Sequence, residues 1–238
     1  WPLAAVLASC ESGGDVPAPI ELAGHRSVVT CVLVLPNGRL CTGCNDGGVR
    51  VYSATDGSCE RTIASLPDDG VSCMTLGEDD VGKPMLFVGG GRTVIALAIE
   101  EDFTVAARVD KAHASPIFSL AASGARIVTG AGEEVKMWER VRGNQLACAG
   151  TLRPAAGARR LLRAPVKITG VQIVPAPTAC IIVGCDRHLV AFDSQTGEKL
   201  WARDLRNGKI VSVVHDGGDK ISVAAGKNVS MLDFGVAL

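Results

Sequence analysis

His25 and Asp46 are the first residues in this chain with the types needed for acid–base work: an imidazole to carry a proton and a carboxylate to orient it. A His–Asp dyad of that kind needs a nucleophile beside it. No Ser or Cys stands in a Gly-x-Ser-x-Gly or comparable turn, so the pair reads as structural. Cys41-x-x-Cys44 has the spacing of half a zinc or redox site. Residues three apart on a strand point to opposite faces, however, and no second Cys-x-x-Cys or His-x-His accompanies them, so core packing is expected and no metal. Gly89-Gly-Gly-Arg92 has the composition of a phosphate cradle, but no helix pattern follows to supply the N-terminus such a loop needs. A hairpin turn with positive φ accounts for it better.

The most basic stretch runs from Leu152 to Lys167 and carries Arg153, Arg159, Arg160, Arg163 and Lys167. Arginine forks there suit an acidic or phosphorylated segment of a partner protein; the plainer reading is a solvated loop. If the stretch links an outer strand to the next inner one, it shares a face with hairpins bearing Arg92, Arg187, His188 and Lys227. Asp68, Asp69, Glu133, Glu134 and Asp186 dilute that positive charge. RNA is a weaker partner for this face, since one Tyr, five Phe and three Trp leave few rings for base stacking.

The whole chain gives no electrostatic pull of its own. Lys and Arg number 24 against 25 Asp and Glu, a formal net charge of -1, so neither nucleic acid nor an anionic membrane surface is favoured. No apolar run approaches the roughly 18 residues that span a bilayer. Nine cysteines, mostly inside apolar strand patterns, suit small core residues in a reducing compartment, and the cytoplasm is expected. The apolar N-terminal run lacks a basic flank, so no signal peptide is expected, and with Trp1 in place of Met a fragment or a processed product is an expectation.

The elements that would position these residues are short strands. Val49, Val94, Val135, Leu189 and Val229 each follow a sharp turn, at intervals of 45, 41, 54 and 40 residues. Three residues on stand Tyr52, Leu97, Trp138, Phe192 and Leu232, all large and apolar. Turn formers precede every anchor: Asp46, Gly91, Gly132, Asp186 and Gly226. The segments around them are β-branched runs between Gly, Asp, Asn and Pro clusters, with no long amphipathic helix. They divide into units at about 28–64, 71–109, 116–151, 168–204 and 210–238, after an N-terminal extension over 1–17. The 54-residue interval is the outlier and holds the basic stretch.

The Gly24-His25 pair, the Asn45-Asp46-Gly47-Gly48 turn and the five-fold recurrence resemble the WD-repeat β-propeller family. The resemblance spans roughly Ile20 to Phe234 and is sharpest in the first unit. It implies an all-β propeller of four-stranded antiparallel blades, five of them recognisable, as a complete five-bladed ring or part of a seven-bladed one. In that family the Gly-His imidazole donates to the turn carboxylate. Transferred here, His25, Thr42, Asp46 and Tyr52 form a hydrogen-bonded clip that satisfies otherwise costly buried polar groups. Gly132 replaces the Asp in the third unit, which keeps His113 and Trp138 and is expected to lack the clip. A lone strand over 18–23 is expected to complete the last blade and close the ring.

By the same resemblance the chain is expected to be a non-catalytic scaffold for partner proteins, without cofactor or small-molecule substrate. A structural subunit of a large multiprotein or ribonucleoprotein assembly is the alternative. Phe192-Asp-Ser-Gln-Thr-Gly-Glu-Lys-Leu-Trp201 also resembles one repeat of the quinoprotein-type propellers, but a single such segment does not imply their enzymology. Trp201 reads as a residue packed between blades.

Overall fold

The computed structural model describes residues 20–63, 69–141, 145–154, 167–175, 179–206, 208–215 and 220–233. Every element there is a strand, and each strand of a sheet pairs antiparallel with its neighbour in sequence. Blade 1 holds β1 (Val29–Val34), β2 (Leu40–Cys44), β3 (Val49–Tyr52) and β4 (Cys59–Ile63). Blade 2 holds β5 (Cys73–Glu78), β6 (Pro84–Gly90), β7 (Thr93–Ala98) and β8 (Thr104–Val109). Blade 3 is built from β9 (Ile117–Ser123), β10 (Arg126–Ala131), β11 (Glu134–Val141) and β12 (Gln145–Leu152). Blade 4 follows with β13 (Ile168–Val174), β14 (Cys180–Cys185), β15 (His188–Asp193) and β16 (Lys199–Asp204). Blade 5 contributes β17 (Ile210–His215), β18 (Lys220–Ala225) and β19 (Asn228–Asp233), three strands among the described residues.

These sheets form a five-bladed β-propeller. The first strands of successive blades touch in the order β1, β5, β9, β13, β17 and line the inside. Second strands lie between neighbouring sheets, so β2, β6, β10 and β14 are buried almost throughout, whereas the outer β4 and β16 are mostly exposed. All five anchors sit at the start of a third strand. The turns ahead of them require left-handed backbone. Gly91, Gly132 and Gly226 supply it at φ of 48°, 53° and 59°, and Asp186 adopts it at 50°. In blade 1 the left-handed residue is Gly47, which leaves Asp46 free to bond with its side chain.

One small device repeats at each contact between blades. The residue that leads into blades 2 to 5 is Val71, Ile117, Ile168 or Ile210, and all four are buried. Each donates its backbone N–H to a carbonyl on the preceding blade's hairpin: Val71 to Cys44 (2.9 Å), Ile117 to Gly91 (2.7 Å), Ile168 to Gly132 (2.8 Å) and Ile210 to Asp186 (2.5 Å). Each side chain also rests on a glycine in the preceding blade's second strand. A Cβ added at Gly43 would stand 2.5 Å from Val71, at Gly130 2.6 Å from Ile168, and at Gly184 2.8 Å from Ile210. Glycine is there for close approach. Four apolar clusters fill the four spaces between consecutive blades. Trp201 lies against the cluster between blades 4 and 5, as a packing residue would.

The closing strand expected over 18–23 does not form in its described part. Residues 20–25 carry no strand, and Ile20 and Leu22 instead approach Gly57, in the turn before β4.

Candidate functional site

The hairpins between second and third strands and the connectors into the next blade share one face, because the lead-residue hydrogen bonds tie them together. Blade 1 anchors this face with a polar clip. His25 Nε2 lies 2.6 Å from Thr42 Oγ1. His25 Nδ1 lies 2.6 Å from an Arg50 Nη1 that can only donate, so Nδ1 accepts and the ring proton sits on Nε2, donated to Thr42. Arg50 grips Asp46 with both arms, at 2.9 Å to Oδ2 and 3.3 Å to Oδ1. Backbone N–H groups of Gly48 (2.9 Å) and Arg26 (3.1 Å) complete the carboxylate's shell. Tyr52 donates its hydroxyl to the Ala23 carbonyl at 3.0 Å and so holds the segment ahead of His25.

The four expected residues do converge, but their wiring differs from the one the resemblance implies. His25 does not donate to Asp46; Arg50 stands between them and bridges both. Its position in β3, opposite Thr42, places it on the face with the clip. The charges follow this wiring. The Arg50 guanidinium, helped by the Gly48 and Arg26 amides, holds the Asp46 carboxyl well below the usual carboxylate range. Burial, and then the nearby Arg50 charge, lower the His25 pKa and keep the imidazole neutral. With Nδ1 engaged by Arg50, the ring has no free lone pair for a general base. His25, Cys44 and Asp46 bring potential metal-ligand atoms within 4.8 Å of one another, but a cation there would have to displace Arg50. Cys41 is buried in the core, and Cys44 Sγ accepts from the Asp46 N–H at 3.5 Å.

Blade 3 corrects another expectation, for it does form a clip. His113 Nε2 lies 2.6 Å from Thr129 Oγ1, and Trp138 Nε1 donates to the same hydroxyl at 2.8 Å. The strand register aligns Thr129 with Thr42, Lys136 with Arg50 and Trp138 with Tyr52. The carboxylate comes from Glu134, two residues beyond Gly132, whose longer side chain reaches back to within 3.3 Å of His113 Nδ1. Lys136 donates to the Ala112 carbonyl at 2.7 Å and lies 3.8 Å from Glu134. His113 is fully enclosed, and burial foremost, with Lys136 second, lowers its pKa. The sequence signal was present as Glu134 beside Lys136; alignment on the turn residue alone passed over it.

On this hairpin face, Arg92 and Lys227 are exposed. Arg187 pairs with Asp204 at 3.2 Å, and His188 Nε2 lies 3.9 Å from the same carboxylate. Lys209 stands 3.8 Å from Asp186, and Arg153 is 3.6 Å from Glu134. Lys167 places its ammonium 4.0 Å from the centre of the exposed Phe118 ring. Arg159, Arg160 and Arg163 lie outside the described residues. Acid–base pairs therefore cover part of the described positive charge on this face.

The comparisons agree with this geometry. Residues 19–53 match the family model described as WD domain, G-beta repeat. Among solved structures the chain is similar to the beta-propeller domain of Cps50 (Swd1) from Myceliophteria thermophila. The TM-score is 0.72 and the identity 16%, over 91% of this chain and 68% of that one. No curated protein matches the chain in sequence. Residues 19–53 are thus similar to one WD repeat, and the chain as a whole has the fold of the WD-repeat β-propellers. Propellers of this class typically act as protein-interaction scaffolds and subunits of complexes.

Proposed function

We propose that this chain is a non-catalytic docking platform that presents its hairpin face to a partner protein, with the basic stretch between blades 3 and 4 receiving an acidic or phosphorylated segment. The observation that carries the reading is the clasp repeated at each contact between described blades: hairpin, connector and lead residue are hydrogen-bonded into one unit. Loops held this way pay little ordering cost on binding. The clip histidine supports the non-catalytic part, since its lone pair is spent on Arg50. A reducing compartment such as the cytoplasm suits the buried thiols: Cys41 and Cys73 are pushed up to about 12, Cys180 and Cys185 to about 11.

The test is charge reversal at Arg159, Arg160 and Arg163 together. The platform reading expects loss of the co-purifying partner and of the salt sensitivity of its binding. Unchanged partners with unchanged salt dependence would remove the basic stretch from the site. A role as a structural subunit is favoured by a separate observation: apolar residues are exposed along the free flanks of blades 1 and 5, among them Val29, Val32, Val229 and Met231.

A further inference from the structure

The turns from third to fourth strands lie on the face opposite the hairpins, and blade 2 uses its turn to fill the space against blade 1. Ile99 follows the last residue of β7. Phe103 takes left-handed backbone, at φ 60°, and donates its N–H to Ala98 at 2.9 Å. Both side chains are buried in the cluster between blades 1 and 2. Arg39, one residue ahead of β2, stands 5.9 Å over the Phe103 ring and bonds the Glu60 carboxylate at 3.2 Å. Glu60 is the bulged residue of β4, left unpaired between Cys59 and Arg61. A ring and a carboxylate together hold this guanidinium.

The contact between blades 3 and 4 repeats the arrangement with its parts removed. Ile127 pairs with Trp138 as Leu40 pairs with Tyr52, so Arg126 is the counterpart of Arg39. Ser194 stands where blade 2 has Ile99. Gly197, with φ 72° and its N–H donated to Asp193, stands where it has Phe103. Ala149, the bulged residue between Cys148 and Gly150, takes the place of Glu60. In place of the missing side chains is a cavity of about 240 Å³. It is lined by the buried Trp138, Ile173 and Ile181, the half-buried Met137, and the exposed Arg126 and Glu139. A Cβ on Gly197 would lie 3.0 Å from Leu152 and 3.8 Å from Met137 Cε, on the Met137 side of this cavity. Among the described residues Arg126 bonds to Ser194, at 3.3 Å to the carbonyl and 3.4 Å to the hydroxyl. Blade 1 shows what such a gap can take. It has Gly57 at the same place, with φ 74° and its N–H on Ser53, and Ile20 and Leu22 from a separate segment lie against it.

We propose that the cavity between blades 3 and 4 is a second docking site, which takes a partner segment with a phenylalanine side chain above Gly197 and a neighbouring carboxylate on Arg126. The ring supplies what Phe103 gives Arg39, and the carboxylate supplies what Glu60 gives it. Glu139, on the same cavity, disfavours a second negative charge, so the segment brings one acidic residue. The volume lies below the roughly 300–1,000 Å³ of whole-ligand sites, so it suits one inserted side chain. This site lies on the other face from the hairpins and does not depend on docking through them.

Methyl NMR on the chain with labelled Ile and Met side chains tests the proposal, with acetyl-Asp-Phe-Ala-amide as the probe. Saturable shifts are expected at the Met137, Ile173 and Ile181 methyls. Binding should be about threefold weaker for the Asn-Phe version of the peptide and about tenfold weaker for the Asp-Ala version. Ser194→Ile, which restores the Ile99 side chain, is expected to abolish the shifts. Ala149→Glu restores the Glu60 carboxylate with the cavity left open, and should make the Asp-Phe and Asn-Phe peptides bind alike. The proposal is overturned by no methyl shift at about 10 mM peptide, or by equal binding of the Asp-Phe and Asp-Ala peptides. Unchanged shifts in a folded Ser194→Ile variant overturn it too. Equal binding of the Asp-Phe and Asn-Phe peptides by the wild type overturns the role of Arg126. Tighter binding of free 3-phenylpropanoate than of the peptide overturns the choice of occupant. Charge reversal at Arg159, Arg160 and Arg163 moves none of these readouts, so the two proposals fail separately.

Discussion

Arg50 Nη1 lies 2.6 Å from His25 Nδ1, on the same guanidinium whose other arm reaches Asp46 at 2.9 Å. One cation therefore satisfies a neutral imidazole and an anion at once, and it decides both the tautomer of His25 and the low proton affinity of Asp46. Removing it takes the cationic partner from Asp46 and the Nδ1 donor from His25.

Arg50→Met is accordingly expected to destabilise the fold by about 2–4 kcal/mol, read from the midpoint of chemical denaturation. Arg50→Lys should recover part of the loss, because Lys136 fills the equivalent place in blade 3 with a single ammonium. Equal stability of the wild type and Arg50→Met would show that the bridge is ornamental.

The clips make the protein acid-sensitive, and the sign follows from proton uptake. His25 and His113 bind protons less readily folded than unfolded, where the value is 6.5. The unfolded chain gains protons first, so the stability these histidines contribute is full above pH 6.5 and declines as the pH falls below it. Asp46, held down by Arg50, adds a further loss below its unfolded value of 3.8. Tm should fall between pH 7 and 5, and the double variant His25→Gln, His113→Gln should flatten that slope.

Lead residues between blades should cost more to truncate than Val29, at the start of blade 1. Ile168→Ala and Ile210→Ala empty a buried contact and are each expected to lose about 2–5 kcal/mol. Val29→Ala should stay within about 0.5 kcal/mol, as surface changes do. Gly130→Ala, whose new methyl would press on Ile168, is expected to cost about 1–3 kcal/mol. Comparable losses at Val29 and Ile168 would mean that blade 1 has a covering neighbour in the isolated chain.

Thiol reactivity offers an independent view of the core. Of the described cysteines, Cys59 and Cys148 are exposed, and both should alkylate quickly at pH 8. Cys41, Cys73, Cys180 and Cys185 are buried, and their thiols are raised to about 11 or 12, so they should react only on unfolding. Mass spectrometry of timed samples separates the two groups.

Much of the architecture was legible in the sequence because propeller blades announce themselves through turns. Val49, Val94, Val135, Leu189 and Val229 could be aligned without coordinates because each must follow a tight bend and begin a strand. The bridging role of Arg50 was not legible, since an arginine in an alternating strand looks like a solvated residue until its neighbour across the ladder is known. Glu134 was missed for a related reason: a longer side chain two residues on can do the work of an aspartate in the turn. The course of residues 20–25 was hidden as well, because an apolar run says that it needs cover and not where the cover lies. Val229 shows the same limit, being equivalent to four buried residues in sequence and exposed for want of a neighbour.

The platform account is tested most directly by hydrogen exchange on the protein with and without its co-purified partner. The expected result is added protection at the hairpins around residues 45–48, 91–92, 186–188 and 226–227 and along the connector from 152 to 167. Protection confined to the outer strands β4, β8, β12 and β16, with those hairpins unchanged, would contradict it.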